Sequence, residues 1–137
     1  MKVSELSGDD LDYWVAKAEG LEAWRHEYRG TLVTSRSGTE FNYAPSCRWE
    51  HGGEILARMI ESGEFCVWEN SGIVVVSNHD PECVPCKEPH KWDIPEIRGE
   101  ATTMLTAAMR AYVASKYGNA VPDLNDECIA QGGVVLI

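Results

Sequence analysis

The apolar residues of this chain recur with helical spacing most consistently between Gly99 and Gly118. Glu100 near the start of this stretch and Lys116 near its end suit the helix dipole, and Gly118 suits a left-handed C-cap. At 100° per residue, one face of the helix is apolar and polar residues lie opposite. The apolar face consists of Ala101, Met104, Leu105, Ala108, Met109 and Tyr112. The pattern therefore predicts a helix whose apolar face must be covered by another element.

Two further segments have helical patterns with recognisable ends. The first follows Ser7, a typical N-cap residue, and ends before Gly20. The second follows a loop over residues 43–53 and ends at Gly63, with the pair Gly52 and Gly53 expected to form the helix entry. The apolar positions are Leu11, Trp14, Val15 and Ala18 in the first helix, and Ile55, Leu56, Met59 and Ile60 in the second.

Two segments rich in strand-forming residues, 65–69 and 73–77, flank the turn formers Asn70, Ser71 and Gly72. This order predicts an antiparallel hairpin. One or two short strands are expected between residues 21 and 42, and prolines predict a long loop over residues 80–98. The apolar run at 73–76 indicates a strand that is covered on both faces. Residues 133–137 are either a last strand or an oligomer contact. These elements predict an α+β fold with a small antiparallel sheet and about three helices.

Length and charge narrow the range of functions. A chain of 137 residues predicts a single domain over residues 1–137, with a core large enough to need no metal. The net charge of −10 disfavours direct nucleic-acid binding, and no apolar run is long enough to span a membrane. The N-terminus turns acidic where an export signal needs an apolar core, and the five cysteines fit reduced thiols. We therefore expect a cytoplasmic protein.

Three blocks of the chain, at residues 11–20, 43–56 and 106–122, together resemble the NinX-like family of temperate-phage and prophage proteins. The matching positions are Trp14, Val15, Ala16 and Lys17; Tyr43, Pro45, Ser46, Trp49, Gly52 and Gly53; and Ala107, Ala108, Met109, Arg110, Tyr112, Val113, Ala114, Ser115, Lys116 and Gly118. Ala44 replaces a usual serine, and Cys47 and Arg48 precede the tryptophan. The resemblance implies an α/β/α-type sandwich and a phage accessory protein in the bacterial cytoplasm, but no established molecular activity.

The segment 79–90 carries the sharpest local chemical signal. His79, Cys83, Cys86 and His90 are spaced as H-x3-C-x2-C-x3-H, and two thiolates with two imidazoles form a tetrahedral zinc set. The alternative is a surface loop with two free thiols. Because the family pattern carries no such cysteine pair and the core is large, no cofactor is expected and zinc is the weaker hypothesis.

The loop before the second helix is the other candidate site, a ligand-binding one. Free amides at a helix start favour anions, and an aromatic ring beside them stacks on a base or ring. This hypothesis assigns ligand binding to Tyr43, Ser46, Trp49, Gly52 and Gly53, with Arg110 on the last helix. The alternatives are that Tyr43 and Trp49 are core anchors and that Arg110 is solvated. Cys47 and His51 as nucleophile and base lack an orienting group, so no catalytic residue is assigned.

Three hypotheses for the function remain open. The favoured one is a non-enzymatic binding or modulatory protein that acts on a host or phage protein, with a homodimer as an additional form of assembly. The second is an acidic decoy that inhibits a host nucleic-acid-binding or defence protein. The third is a zinc protein or metal-assisted hydrolase that uses the 79–90 loop. The binding protein ranks first because the sequence supplies no convergent nucleophile, acid and base.

Overall fold

The structure is a computed structural model that describes residues 1–26, 28–35, 37–79 and 96–122. Its helices are α1 (Gly8–Ala18), α2 (Trp49–Glu61) and α3 (Met104–Tyr117). Its strands are β1 (Ala23–His26), β2 (Gly30–Thr34), β3 (Glu40–Asn42), β4 (Cys66–Asn70), β5 (Ile73–Ser77) and β6 (Arg98–Ala101). No helix among these residues is long and apolar enough to cross a bilayer.

The strands form two antiparallel sheets of three, with the orders β1-β2-β3 and β4-β5-β6. Helix α1 packs against β1 and β2, helix α3 packs against β5 and β6, and the two helices pack against each other. Helix α2 packs against α3. The predicted α+β class with three helices and antiparallel strands is therefore confirmed, although the strands divide into two sheets. The single domain over residues 1–137 stays a prediction, because residues 123–137 lie outside the described ranges.

Helix α1 and the β4–β5 hairpin agree with the sequence pattern. Ser7 takes the N-cap position of α1, although its side chain makes no capping hydrogen bond, and Gly20 has the left-handed φ of +78°. Between β4 and β5, Ser71 and Gly72 both have positive φ, which matches the right-handed twist of a two-residue hairpin turn. In β5, Val75 and Val76 point to opposite faces and both are buried, which agrees with the prediction for these two residues. Ile73, at the turn end of the strand, is 38% exposed, so the predicted cover does not extend over the whole run.

The long C-terminal helix starts later than the sequence pattern predicts. Gly99, Glu100 and Ala101 belong to β6, and Thr103 caps α3 by accepting a hydrogen bond from the amide of Thr106. A Cβ on Gly99 would lie 2.0 Å from the carbonyl oxygen of Ala107, so this glycine lets β6 lie directly against α3. The predicted helix start at residue 99 was wrong. The apolar spacing of α3 extends back into β6, a strand that packs against α3.

The second helix, in contrast, begins earlier than predicted. Helix α2 starts at Trp49, so Gly52 and Gly53 lie inside it and not at its entry. A Cβ on Gly52 would lie 2.2 Å from the carbonyl oxygen of Pro45, so the preceding loop packs directly on the helix at this point. Residues 21–42 form three strands instead of one or two, and Gly30–Thr34 is the central one.

Candidate functional site

The loop at residues 43–48 is fixed to α1 and α3 through its backbone. The amide of Ser46 donates to Oδ1 of Asp12 over 2.8 Å, and Oγ1 of Thr106 donates to the Ser46 carbonyl oxygen over 3.2 Å. Asp12 is only 2% exposed, and this burial raises the pKa of its carboxyl to about 6 against the hydrogen bonds from Ser46. The polar atoms of Ser46 therefore serve the fold, and the residue is buried.

The rings of Phe41, Tyr43 and His51 pack together beside this loop. The ring of His51 lies 5.2 Å from that of Tyr43 and 5.8 Å from that of Phe41, measured between centroids. Nδ1 of His51 accepts a hydrogen bond from the amide of Ala44 over 3.0 Å, and burial lowers the pKa of the imidazole. Tyr43 is buried, in agreement with its alternative reading as a core anchor. These contacts hold His51 as a neutral, structural imidazole.

Cys47 lies near His51 in sequence, but the structure gives little support to a nucleophile and base. Cys47 is an exposed free thiol, and Nδ1 of His51 is occupied by the backbone. Within the described ranges, no hydrogen bond joins the two side chains. The pair therefore has neither the contact nor the orienting third group that nucleophilic catalysis needs.

Trp49 differs from the other predicted binding residues because it faces solvent. As the first residue of α2 it is 59% exposed, and its Cε3 lies 3.4 Å from the position that a Cβ on Gly53 would take. Ile60, predicted to face the core, is 40% exposed. At 100° per residue Trp49, Gly53, Ala57 and Ile60 fall within about 80° of one another. We call this row the α2 stripe, and it is an apolar helix edge open to solvent.

A row of carboxylates borders the α2 stripe. Glu50, Glu54 and Glu61 are all exposed, and they fall within about 40° of one another on the side of the stripe that faces away from the core. Glu50 pairs with Arg48 over 3.4 Å between two exposed side chains. Neither Glu54 nor Glu61 is in an ion pair within 4 Å in the described part of the chain. We call these three residues the acidic row.

Beyond the acidic row, a polar cluster joins all three helices. Oε1 of Glu19, just after α1, accepts a hydrogen bond from Arg58 of α2, and Oε2 accepts one from the hydroxyl of Tyr112 in α3. Burial, together with the bond to Glu19, raises the pKa of the Tyr112 hydroxyl, and the bond to Glu19 also raises the pKa of Arg58. These groups bond to one another, so the cluster stabilises the packing of the three helices.

Arg110 makes its described hydrogen bonds with segments other than the 43–53 loop. Its Nε donates to the carbonyl oxygen of Leu6 over 2.8 Å, and an Nη donates to that of Glu100 over 2.6 Å. Burial lowers the pKa of the guanidinium. The side chain therefore ties the N-terminal segment to the end of β6 and is not a simple solvated arginine; its role in ligand binding stays a prediction.

The predicted zinc set is mostly outside the described residues. Only His79 falls within them, and its amide donates to Oγ of Ser77 over 3.0 Å. Cys83, Cys86 and His90 lie in the segment 80–95, of which the structure describes nothing. The described residues contain no group of three or more His, Cys, Asp or Glu side chains that could hold a metal. The zinc hypothesis therefore stays a prediction.

Sequence patterns did not single out Asp12, Ala57, Ile60 or Glu61 as features of a surface or site. Helical spacing contained part of the signal, because residues 49, 53, 57 and 60 already share an edge of any helix that begins at Trp49. The predicted helix began after Gly53, so only the observed start of α2 at Trp49 brings these four residues onto one helix edge. Asp12 lies about 60° beyond Val15, outside the predicted apolar face of α1, so helical spacing alone does not indicate its burial.

The comparison with known families agrees with the resemblance seen in the sequence. Residues 2–116 match the model of the family described as Bacteriophage P22, NinX. That range contains the loop, helix α2 and most of α3. No curated protein matches the chain. Because the family match spans well over half of the sequence, the chain belongs to the bacteriophage P22 NinX family.

Proposed function

We propose that this phage protein works without catalysis, as an accessory protein that binds a host or phage protein through the α2 stripe. The exposed Trp49 at the start of α2, in line with the exposed Ile60, is the observation that carries the proposal. The partner and the complex lie in the bacterial cytoplasm in this account.

Physical properties of the α2 stripe support binding to a protein. Tryptophan is enriched at the energetically dominant positions of interfaces, because its large ring is apolar and loses little conformational freedom on burial. Gly53 beneath the indole leaves the ring lying along the helix surface. Helix α2 is itself fixed by Gly52 against Pro45 and by Arg58 against Glu19, so the stripe is presented on a rigid element. A rigid apolar edge loses less entropy when a partner covers it.

Catalysis has less support than binding. Oxygen and nitrogen atoms of Asp12, Ser46, His51 and Arg110 make hydrogen bonds that hold the fold together. An enzyme needs such groups directed at a common substrate position. Metal-assisted hydrolysis at the 79–90 loop remains a hypothesis about residues outside the described ranges.

The acidic decoy is a binding function with a specified partner, a host nucleic-acid-binding or defence protein. Ion pairs with arginine already involve Asp9, Asp10, Glu50 and Glu100, which reduces the negative field near those residues. The acidic row lies beside the apolar stripe, which a nucleic-acid mimic does not require. A decoy therefore has charge in its favour but no specific arrangement of the described residues.

Differential affinity capture tests the proposal. The wild-type protein, a Trp49→Ala/Ile60→Ser variant and a matched Tyr28→Ala/Met104→Ala variant are each used to capture proteins from lysate of phage-infected bacteria. The control removes two other exposed apolar side chains, since Tyr28 is 84% and Met104 39% exposed. We expect a protein that the wild type and the control retain and that the stripe variant loses. Equal capture by all three folded proteins would refute binding through the α2 stripe.

A further inference from the structure

We infer that the occupant of the α2 stripe is a cationic amphipathic segment of another protein, with lysine or arginine side chains beside an apolar edge. The inference rests on the proposed function and specifies the chemistry of the partner. It is carried by the acidic row, Glu50, Glu54 and Glu61, which follows the α2 stripe along the same helix.

The position of the acidic row favours this kind of partner over an uncharged one. One side of the α2 stripe continues into the core through Leu56, which is buried. The other side consists of the acidic row, so any segment lying on Trp49 and Ile60 has carboxylates along its open flank. An acidic segment would face like charges there, whereas lysine or arginine side chains would find partners. The net charge of −10 adds long-range attraction for cations.

The cations in the described part of the chain leave the acidic row available. Arg48 is the only ion-pair partner of the row within the described ranges, and both it and Glu50 are exposed. An exposed pair of this kind is weak and exchanges readily with another cation. Arg58, the next cation along α2, is hydrogen-bonded to Glu19 and interacts with Glu54 only through space. Glu54 and Glu61 therefore remain the principal sites for a partner's positive charge.

The length of the α2 stripe and the ring of Trp49 define the partner's segment further. Eleven helical steps separate Trp49 from Ile60, which corresponds to about 16 Å. A helix of about three turns, or about five residues of extended chain, covers that length. The face of Trp49 also attracts a guanidinium or ammonium group through its ring quadrupole. Trp49 and the acidic row can thus recognise the same cationic side chains from two directions.

The test measures binding of two synthetic 18-residue amphipathic peptides, one of leucine and lysine and one of leucine and glutamate in the same helical pattern. Isothermal titration at low and high salt compares the wild type with Glu54→Gln/Glu61→Gln. The charge-matched control is Glu5→Gln/Glu22→Gln, which removes two exposed carboxylates that lie outside α2. Trp49→Ala/Ile60→Ser is measured alongside.

We expect the lysine peptide to bind the wild type and the control at low salt. Glu54→Gln/Glu61→Gln should weaken it about five- to thirtyfold, with a smaller loss at high salt. Trp49→Ala/Ile60→Ser should weaken binding at both salt concentrations, because the apolar contact is not screened. The glutamate peptide should not bind measurably.

Two results of the peptide titrations would overturn the inference. Equal losses in Glu54→Gln/Glu61→Gln and in the control would show attraction by net charge alone. Equal binding of both peptides would remove the preference for cations. If affinity capture still depends on Trp49 and Ile60 after either result, the proposed function stands with a partner of different chemistry. A dimer of the protein alone that Trp49→Ala/Ile60→Ser dissociates would show a second copy on the stripe, and would refute this inference also.

Discussion

Adding a methyl group at Gly52 or at Gly53 should have opposite effects, although both glycines lie inside α2. A Cβ on Gly52 would lie 2.2 Å from the carbonyl oxygen of Pro45 and 3.1 Å from Cδ2 of Leu105. A Cβ on Gly53 would lie 3.4 Å from Cε3 of Trp49 and would have no closer neighbour beyond its own turn of helix. Only the first position is therefore closed to a side chain.

The magnitudes follow from two competing terms. Alanine is favoured over glycine inside a helix by about 1 kcal/mol, and this gain applies at both positions. At Gly52 the new methyl must displace Pro45 by more than 1 Å, since ordinary contact begins near 3.4 Å. Forcing extra volume into a packed site costs about 1–3 kcal/mol, and the upper part of this range, about 2–3 kcal/mol, applies here because backbone gives way less readily than a side chain. We expect Gly52→Ala to lower the free energy of unfolding by about 1–2 kcal/mol and Gly53→Ala to raise it by about 0.5–1 kcal/mol.

Urea unfolding followed by circular dichroism at 222 nm measures both variants against the wild type under the same conditions. The slopes of the transitions should stay equal, so that the midpoints report stability alone. A Gly52→Ala variant as stable as Gly53→Ala would refute the packing of the 43–48 loop on α2. It would also remove the argument that the α2 stripe is rigidly held.

Two further substitutions test the buried polar groups. Burial raises the pKa of Asp12 from 3.8 to about 6, so the folded protein binds this proton more tightly than the unfolded chain. Wild-type stability should therefore fall by about 2 kcal/mol as the pH rises from 4 to 6. Asp12→Asn should abolish that part of the pH dependence; an unchanged slope in urea titrations across this range would contradict the assignment. Tyr112→Phe removes the hydroxyl that donates to Glu19 and should destabilise by about 1–2 kcal/mol, whereas Tyr28→Phe, at an exposed ring, should change the midpoint little.

The elements that local chemistry determines could be predicted from the sequence. Helix α1 has a polar N-cap, an apolar face and Gly20 at its end, and each signal lies within the helix or next to it. The β4–β5 hairpin likewise depends on Ser71 and Gly72, whose conformations are set within four residues. The family resemblance rested on three blocks in order and is confirmed.

The elements that depend on distant contacts could not be predicted in the same way. Gly99 belongs to a strand because β6 pairs with β5 and packs on α3, and helical periodicity alone cannot detect either contact. Gly52 and Gly53 looked like a helix entry, since the contact of Gly52 with Pro45 exists only in the folded chain. Of the predicted ligand residues, Trp49 alone proved to be strongly exposed. Ser46 is held against α1 and α3, and Tyr43 against β2, and these contacts exist only in the folded chain.

Site-specific photo-crosslinking in infected bacteria tests most directly whether the α2 stripe is the binding surface. Benzoylphenylalanine replaces Ala57, in the middle of the stripe, or Tyr28 as a control at an exposed aromatic position. We predict a discrete crosslinked adduct with another protein from position 57, no such adduct from position 28, and loss of the adduct when Trp49→Ala is added. Failure of position 57 to crosslink, or the same adduct from both positions, would contradict the account.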